Sequence, residues 1–431
     1  MTGATNPSTL TTVTVPDGPT AAAILLPPLT AALDGTGPAV APLPGEPAAR
    51  ARALAAVVPD RPLERPAAVV VPTSGSTGEP KAVLLTAAAL AASGEATAAH
   101  LGGGGQWLLT LPAAHVAGLQ VVARSVLAGT EPVAVDLRGG FTPEAFAAAA
   151  ARMSGPRRYT SLVPTQLGTL LDAGGPALDA LGGLDAVLLG GSAAPESLLR
   201  RARAAGVRIV VTYGMTETCG GCVYDGTPLA CADVRLESAP AGTSGGDPAG
   251  PPRSDPAGTS GGDPAGAGTA EAEPGRITIG GSMLFGGYRL RPDLTAAALT
   301  PEGRFATSDL GRWTADGRLR VLGRIDDMII TGGLNVAPAE VEAALADHPA
   351  VAEAAVVGVP DERWGQRVVA VLAPRSTDAA PTLEALRDHV GRRIGRRSAP
   401  RGLVLVERLP RLAGLGKVDR QAVRRLAATA D

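Results

Sequence analysis

Only two lysines stand in a chain that carries 37 arginines. Lys81 closes the run Thr73-Ser-Gly-Ser-Thr-Gly-Glu-Pro-Lys81, and Lys417 sits in Gly416-Lys-Val-Asp-Arg420. A lysine ammonium is a compact point charge on a flexible stem, whereas a guanidinium is a planar fork. Both lysines fall in glycine-containing segments that read as loops, a setting suited to phosphate or to a reacting carboxylate. A genome that favours arginine explains the arginine excess, but not why both survivors sit in motif-like loops. In the first run, consecutive backbone N–H groups can form an anion-binding nest, with Thr73, Ser74, Ser76 and Thr77 as hydroxyl donors around Gly78. Lys81 can reach terminal phosphates. The run is not a Walker A loop, because Pro80 precedes Lys81 and Ala82 follows it where that motif needs Ser or Thr. By itself it also fits a flexible turn.

Other groups able to do chemistry follow in order. Tyr213-Gly214-Met-Thr216-Glu217-Thr joins a flat ring, a hydroxyl and a carboxylate. Asp309 lies in Thr307-Ser-Asp-Leu-Gly311, and Arg324, Asp326 and the glycines Gly332 and Gly333 come next, before Lys417. Singly, Glu217 fits a surface residue, Asp309 a turn cap and Arg324 a partner for Asp326 or Asp327. Cys219, Cys222 and Cys231 include one Cys-x-x-Cys pair, yet no second pair or nearby histidine completes a tetrahedral site. Zinc is not expected there.

These groups need a frame. From Ala67 onward, short aliphatic runs alternate with alanine-rich helical stretches. The pattern predicts strands at Ala68–Val71, Trp107–Leu111, Pro132–Val135, Tyr159–Leu162, Ala186–Leu189 and Arg208–Val211. Helices are expected from about Thr20 to Ala32 and after Thr86, Gly118, Thr142, Pro164 and Pro195. Such alternation indicates an α/β domain whose strand C-termini carry the ligand loops. Beyond Gly323 the rhythm changes. A small α+β domain is expected, with helices at Pro338–Asp347 and Leu383–Arg393 and strands at Val351–Val359, Val368–Leu372 and Leu403–Val406. We therefore divide the chain into a large N-terminal domain, 1–323, and a C-terminal domain, 324–431, with a polar boundary able to act as a hinge. The Gly/Pro/Ser-rich tract at about 238–274 repeats the segment Pro240–Gly250 at Pro256–Gly266 and is expected to be a disordered insertion. It separates Val234–Leu236 from Arg276–Ile279, which otherwise read as a hairpin.

The charge balance gives a formal net charge of -2, with no basic excess for nucleic acid. The cluster Arg392–Arg401 reads as a solvated helix end. There is no apolar stretch of membrane-spanning length and no signal-like N-terminus, and scarce cysteine suits a reducing compartment. A soluble cytoplasmic protein is expected, and a homo-oligomer is compatible with these features.

The ordered set of motifs, from about residue 68 to 425, resembles the adenylate-forming superfamily of acyl-CoA synthetases, adenylation domains and beetle luciferases. The resemblance implies ATP, Mg²⁺ and CoA as partners. It implies that Thr73, Ser74, Ser76, Thr77, Gly78 and Lys81 hold the β- and γ-phosphates. Gly190, Gly191, Ser192, Tyr213 and Gly214 would form the adenine pocket, Thr216 would meet the α-phosphate and Glu217 would hold magnesium. Asp309, helped by Arg324, would accept the ribose hydroxyls. Asp326 would be the hinge, Gly332 and Gly333 would line the CoA channel, and Lys417 would bridge the carboxylate and the α-phosphate. Within the superfamily, Leu111-Pro-Ala-Ala-His115 and the segments around Ser161 and Tyr213 look like the actinobacterial branch of 2-succinylbenzoate–CoA ligases of menaquinone biosynthesis. His115, Gln120, Ser161 and Thr165 would then line the acyl pocket, with Arg124 a weaker candidate. Alternatives are a ligase for another aryl or acyl acid, an adenylating enzyme that loads a carrier protein, and a nucleotide-binding regulatory relative. The chain departs from the family pattern in a short region before the phosphate loop and in one extra residue between Pro410 and Gly416.

Overall fold

The computed structural model describes residues 9–74, 80–238, 273–376, 379–411 and 418–429. The 238–274 tract lies almost wholly outside them, as do Ser76, Thr77, Gly78 and Lys417. The chain divides into two compact units, Met1–Arg235 with Thr278–Thr307 and Leu236–Ile277 with Ser308–Asp431.

The first unit is α/β, built on two sheets. The larger runs in the order Thr227–Pro228, Gly220–Tyr224, Ile209–Met215, Ala186–Leu189, Arg158–Leu162, Gln106–Leu109, Val133–Ala134. Its five strands from Ile209–Met215 to Val133–Ala134 are parallel. Helices Pro143–Ala150, Pro164–Ala173 and Gly175–Gly182 contribute to one core with Leu108, Leu162, Val187 and Leu189 from the strands. The helices start where capping chemistry dictates. Thr142 Oγ1 accepts from Ala145 N at 3.2 Å, and Pro143 fills the first helical position. Thr86 Oγ1 does the same for Ala89 N at 3.1 Å. The helix expected after Gly118 begins earlier, at Val116, with Gly118 in its first turn. A Cβ at Gly118 would lie 2.4 Å from Pro112 O, so the glycine serves close packing on the preceding turn and not a helix start.

The smaller sheet runs in the order Leu10–Val15, Ala39–Pro44, Val69–Ser74, Pro80–Leu85, Gly287–Tyr288. Helix Pro47–Val57 covers it through Ala53, Ala56 and Val57. The buried side chain of Arg289 fixes the last strand of this sheet. It donates from Nε to Val57 O at 2.9 Å and from its terminal nitrogens to Pro62 O at 2.9 Å and Val58 O at 3.0 Å, and it pairs with Glu64.

Strands Ala232–Ser238 and Gly275–Gly281, which the tract separates in sequence, are neighbours in one sheet, and strands Phe305–Trp313 and Leu319–Arg324 pair antiparallel. The second unit is α+β from Ile329 onward. Strands Val351–Asp361 and Gly365–Pro374 form its centre, with Gly402–Leu405 added in parallel and Ile329–Thr331 and Leu334–Val336 beyond. Their side chains alternate between two cores. Val356, Val368, Ala370 and Leu372 meet Val341, Leu345, Leu386 and Val390. Ala355, Val357, Val369 and Val371 meet Leu409, Val423 and Ala427. This two-residue period is what a sheet covered on both faces requires.

Candidate functional site

In the first unit, three side chains far apart in sequence meet at one point. Lys81 Nζ lies 3.1 Å from Glu217 Oε1 and 2.9 Å from the Tyr288 hydroxyl. Tyr288 in turn donates to the same Glu217 oxygen at 2.7 Å, and the Lys81 ammonium sits 4.0 Å from the centre of its ring. Glu217 and Tyr288 are buried, whereas Lys81 is a quarter exposed. Burial, and then the Glu217 charge, push the Tyr288 phenol far above its ordinary pKa, so it stays a donor.

The backbone holds each of the three independently. Thr73 and Lys81 are register partners in a tight antiparallel pair, and Thr73 Oγ1 donates to Lys81 O at 3.3 Å. Glu217 stands in the one-turn helix Thr216–Thr218 at the end of the parallel strand Ile209–Met215. Thr218 Oγ1 caps that turn by accepting from Met215 N at 2.9 Å. Phe285 N donates to Glu217 O at 2.9 Å, tying this turn to the segment that leads to Tyr288. The sequence motifs passed over Tyr288. The available signal was a rare aromatic in Gly286-Gly287-Tyr288, in a chain with four tyrosines.

The glycines expected near the adenine occupy crowded backbone. A Cβ on Gly190 would lie 2.5 Å from Thr212 Oγ1, and one on Gly214 would lie 2.0 Å from Gly220 O. Gly191 and Ser192 are exposed beyond the C-terminal end of Ala186–Leu189, and Tyr213 and Thr216 are half-buried on the next strand and turn. Clefts outside the carboxyl ends of parallel strands are where such sheets bind ligands.

The four acyl-pocket candidates differ. Gln120 and Ser161 are buried, His115 is half-buried at the N-cap of its helix, and Thr165 is exposed. Gln120 Nε2 donates to Cys219 O at 2.5 Å. Beside Thr165, it is Gln166 that turns inward, donating from Nε2 to Thr110 O at 2.9 Å. Arg124 is buried, with its guanidinium 5.1 Å from the Trp107 ring and 3.3 Å from the Tyr224 hydroxyl, and its Nε has no partner among the described residues. It lines a cavity of 280 Å³ with Trp107, Tyr159, Thr97 and Gly94. The Cys219 and Cys222 thiols are packed in the core, and burial raises the second to about 12. Among the described residues no three of His, Cys, Asp or Glu cluster in a way that could hold a metal.

In the second unit, Asp309 and Arg324 are register partners across one hairpin. Arg324 reaches Asp326 at 3.4 Å on the surface. Asp327 is mostly buried and pairs with Arg424 at 2.6 Å and Arg420 at 3.7 Å, and Arg420 also meets Glu342 at 2.9 Å. Both Gly332 and Gly333 have positive φ, and a Cβ on Gly332 would meet the Trp364 ring at 2.7 Å. Lys417 itself is outside the described residues. Its flanks are pinned by an Arg411–Val418 bridge and by Asp419 N donating to Pro410 O at 2.8 Å. Asp419 then caps helix Arg420–Ala427. No helix among the described residues is long and apolar enough to cross a membrane.

Comparison with known proteins gives these arrangements a context. The family model described as AMP-binding enzyme matches residues 19–289, and the one described as AMP-binding enzyme C-terminal domain matches residues 340–417. A probable 2-succinylbenzoate–CoA ligase of Mycobacterium tuberculosis is 44% identical over 97% of this chain and 98% of its own length. A sulfoacetate–CoA ligase of Cupriavidus necator is 35% identical over 82% of this chain and 66% of its own. Among solved structures, the o-succinylbenzoate CoA synthetase of Bacillus subtilis, in complex with its acyl-adenylate intermediate, superimposes with a TM-score of 0.66 at 29% identity. That match covers 83% of this chain and 69% of the other.

Proposed function

Since this chain belongs to the AMP-binding enzyme family, we propose that it is an AMP-forming acid–CoA ligase acting on 2-succinylbenzoate in menaquinone biosynthesis. The observation that carries the activity is the convergence of Lys81, on strand Pro80–Leu85, with Glu217, in the turn after strand Ile209–Met215, at 3.1 Å. The near full-length likeness to the mycobacterial ligase, stronger than that to the sulfoacetate enzyme, supports the substrate.

In the first half-reaction the acid's carboxylate attacks the α-phosphorus of ATP, and pyrophosphate leaves. Both reactants are anions, so positive charge must be in place where negative charge builds. We assign Lys81 to the departing phosphates, with Thr73, Ser74, Ser76, Thr77 and Gly78 beside it, and Lys417 to the carboxylate and α-phosphate. Glu217 suits magnesium, which proteins commonly bind through one or two carboxylates together with substrate phosphates. When bound, that ion neutralises phosphate charge and orients the triphosphate. Tyr213 would stack on the adenine between Gly214 and the Gly190-Gly191-Ser192 turn. Asp309 and Arg324, side by side on their hairpin, would take the ribose hydroxyls.

In the second half-reaction the CoA thiol attacks the mixed anhydride and AMP leaves. We assign the functional boundary to Gly323/Arg324, so that segment 324–431 turns about Asp326, withdrawing Lys417 and bringing Gly332 and Gly333 to the thiol channel. In the acyl pocket we assign polar contacts to Gln120, Ser161, His115 and Thr165. Arg124, one turn past Gln120, is the buried cation suited to the ring carboxylate. The setting we assign is the cytoplasm. Pyrophosphate release measured across carboxylic acids, with and without CoA, tests the reading. A strong preference for 2-succinylbenzoate and CoA-dependent thioester formation are expected. Preference for benzoate or a fatty acid would overturn the substrate assignment.

A further inference from the structure

We propose that Tyr288 is a positioning residue that holds the Glu217 carboxylate in place while Lys81 changes partners from that carboxylate to the incoming triphosphate. The inference rests on the ligase reading above and concerns a residue to which that reading gives no role.

The geometry is a closed triangle around one oxygen. Glu217 Oε1 receives the Lys81 ammonium at 3.1 Å and the Tyr288 hydroxyl at 2.7 Å. The Tyr288 oxygen accepts from Lys81 at 2.9 Å, so its single proton goes to Glu217. An ammonium has three donors, two of which are engaged here. Phosphate therefore competes with Glu217 for Lys81. Once the ammonium moves, a carboxylate held only by lysine would be free to rotate after it. Tyr288 prevents that, because its own position owes nothing to Lys81. Its N–H donates to Thr295 Oγ1 at 2.9 Å, it pairs in register with Val83, and the next residue is the buried Arg289. Glu217 Oε1 thus stays occupied, and the carboxylate would keep the orientation in which it could hold a magnesium ion.

The test is calorimetric titration of ATP at a series of Mg²⁺ concentrations, without any acid or CoA, on wild type, Tyr288→Phe and Lys81→Ala. Tyr288→Phe should raise the half-saturating Mg²⁺ concentration about tenfold or more, the worth of one hydrogen bond to a charged group. Lys81→Ala should weaken ATP binding at every Mg²⁺ concentration and leave the half-saturating Mg²⁺ within about twofold, since Tyr288 still pins the carboxylate. This second arm stands even where Tyr288→Phe does not fold. A wild-type Mg²⁺ dependence in Tyr288→Phe, or an equal shift in Lys81→Ala, would overturn the proposal. Absence of ATP binding by the wild type would instead sink the ligase reading.

Discussion

The two lysines have surroundings of opposite construction. Around Lys81 the contacts are short, largely buried and drawn from three segments fixed by strand pairing: Thr73 to Lys81, Met215 to Gly220 and Tyr288 to Val83. Among the described residues, the flanks of Lys417 are held by the Arg411–Val418 bridge and a capped helix whose arginines, Arg420 and Arg424, reach Asp327, the neighbour of the proposed hinge residue Asp326. In the first region the backbone lattice sets a charge and neighbouring polar groups refine it. In the second, a charge network joins the lysine's helix to the segment about which the unit is proposed to turn. On the proposed function, the contrast is between a charge that stays and a charge that travels, and the two would need different supports. One is over-determined locally, and the other would be tied to a frame that is proposed to turn with it.

Removing one charged group from each region should separate them most sharply. Lys417→Ala should lower acyl-adenylate formation by at least about 10³-fold, as expected when an electrostatic group acting only in that transition state is lost. Thioester formation from supplied acyl-adenylate should stay within a few-fold of wild type. Pyrophosphate release and single-turnover thioester assays check both halves, and equal loss in the two would break the fixed-versus-travelling distinction. In the first region, Glu217→Gln should cost about 10²-fold in adenylation, with the deficit concentrated at low Mg²⁺. A deficit independent of Mg²⁺ would deny Glu217 the metal.

The parallel strands were legible because each is a short aliphatic run before a cap or proline, as at Ala186–Leu189 and before Pro164. The motifs around Lys81, Glu217 and Asp309 stood out because the residues of each are close in sequence, and the roles proposed for them follow from the family resemblance. Tyr288 was not, since its meaning arises only when it packs 71 positions from Glu217 and 207 from Lys81. The strands Leu10–Val15 and Ala39–Pro44 were also hidden. Pro42 and Pro44 argue against a central strand, but the register with the next strand is confined to Val40 and Val69, so those prolines are not asked to donate on that side. Thr165 and Gln166 show a finer limit. Which of two adjacent polar residues faces inward depends on the helix phase, and here it is Gln166.

A smaller effect tests the frame of the second region. Asp327→Asn removes the charge that Arg420 and Arg424 share and should cost about 0.5–2 kcal/mol, a few degrees in the melting of the second unit. Adenylation should suffer more than nucleotide binding, because the lysine's flank loses its tie to the hinge segment. Nucleotide affinity falling as much as adenylation would place this network in the first region's site instead.

The smallest expected effect is on pH dependence, and it too divides the two regions. His389 is buried in the second unit, with Nε2 at 3.0 Å from Ala344 O and Nδ1 at 3.2 Å from Arg393. Arginine only donates, so Nδ1 must accept and Nε2 must carry the proton toward the carbonyl, which fixes a neutral ring. Burial and the nearby Arg393 depress its pKa, and His348, packed edge-on at 4.9 Å and facing the same arginine, is depressed as well. The unfolded chain therefore binds more protons just below the ordinary histidine value. Stability is full above about pH 6.5 and falls as the pH drops, by at most about 1.4 kcal/mol per pH unit for each ring. Hydrogen exchange in helix Leu383–Ile394 should accelerate on acidification once corrected for intrinsic rates, and His389→Gln should flatten that dependence. Tyr288 contributes no slope over this range, because its raised pKa keeps it protonated throughout. An equal acid response in the strands around Lys81 would mean that the histidine pair is not the second unit's own sensor.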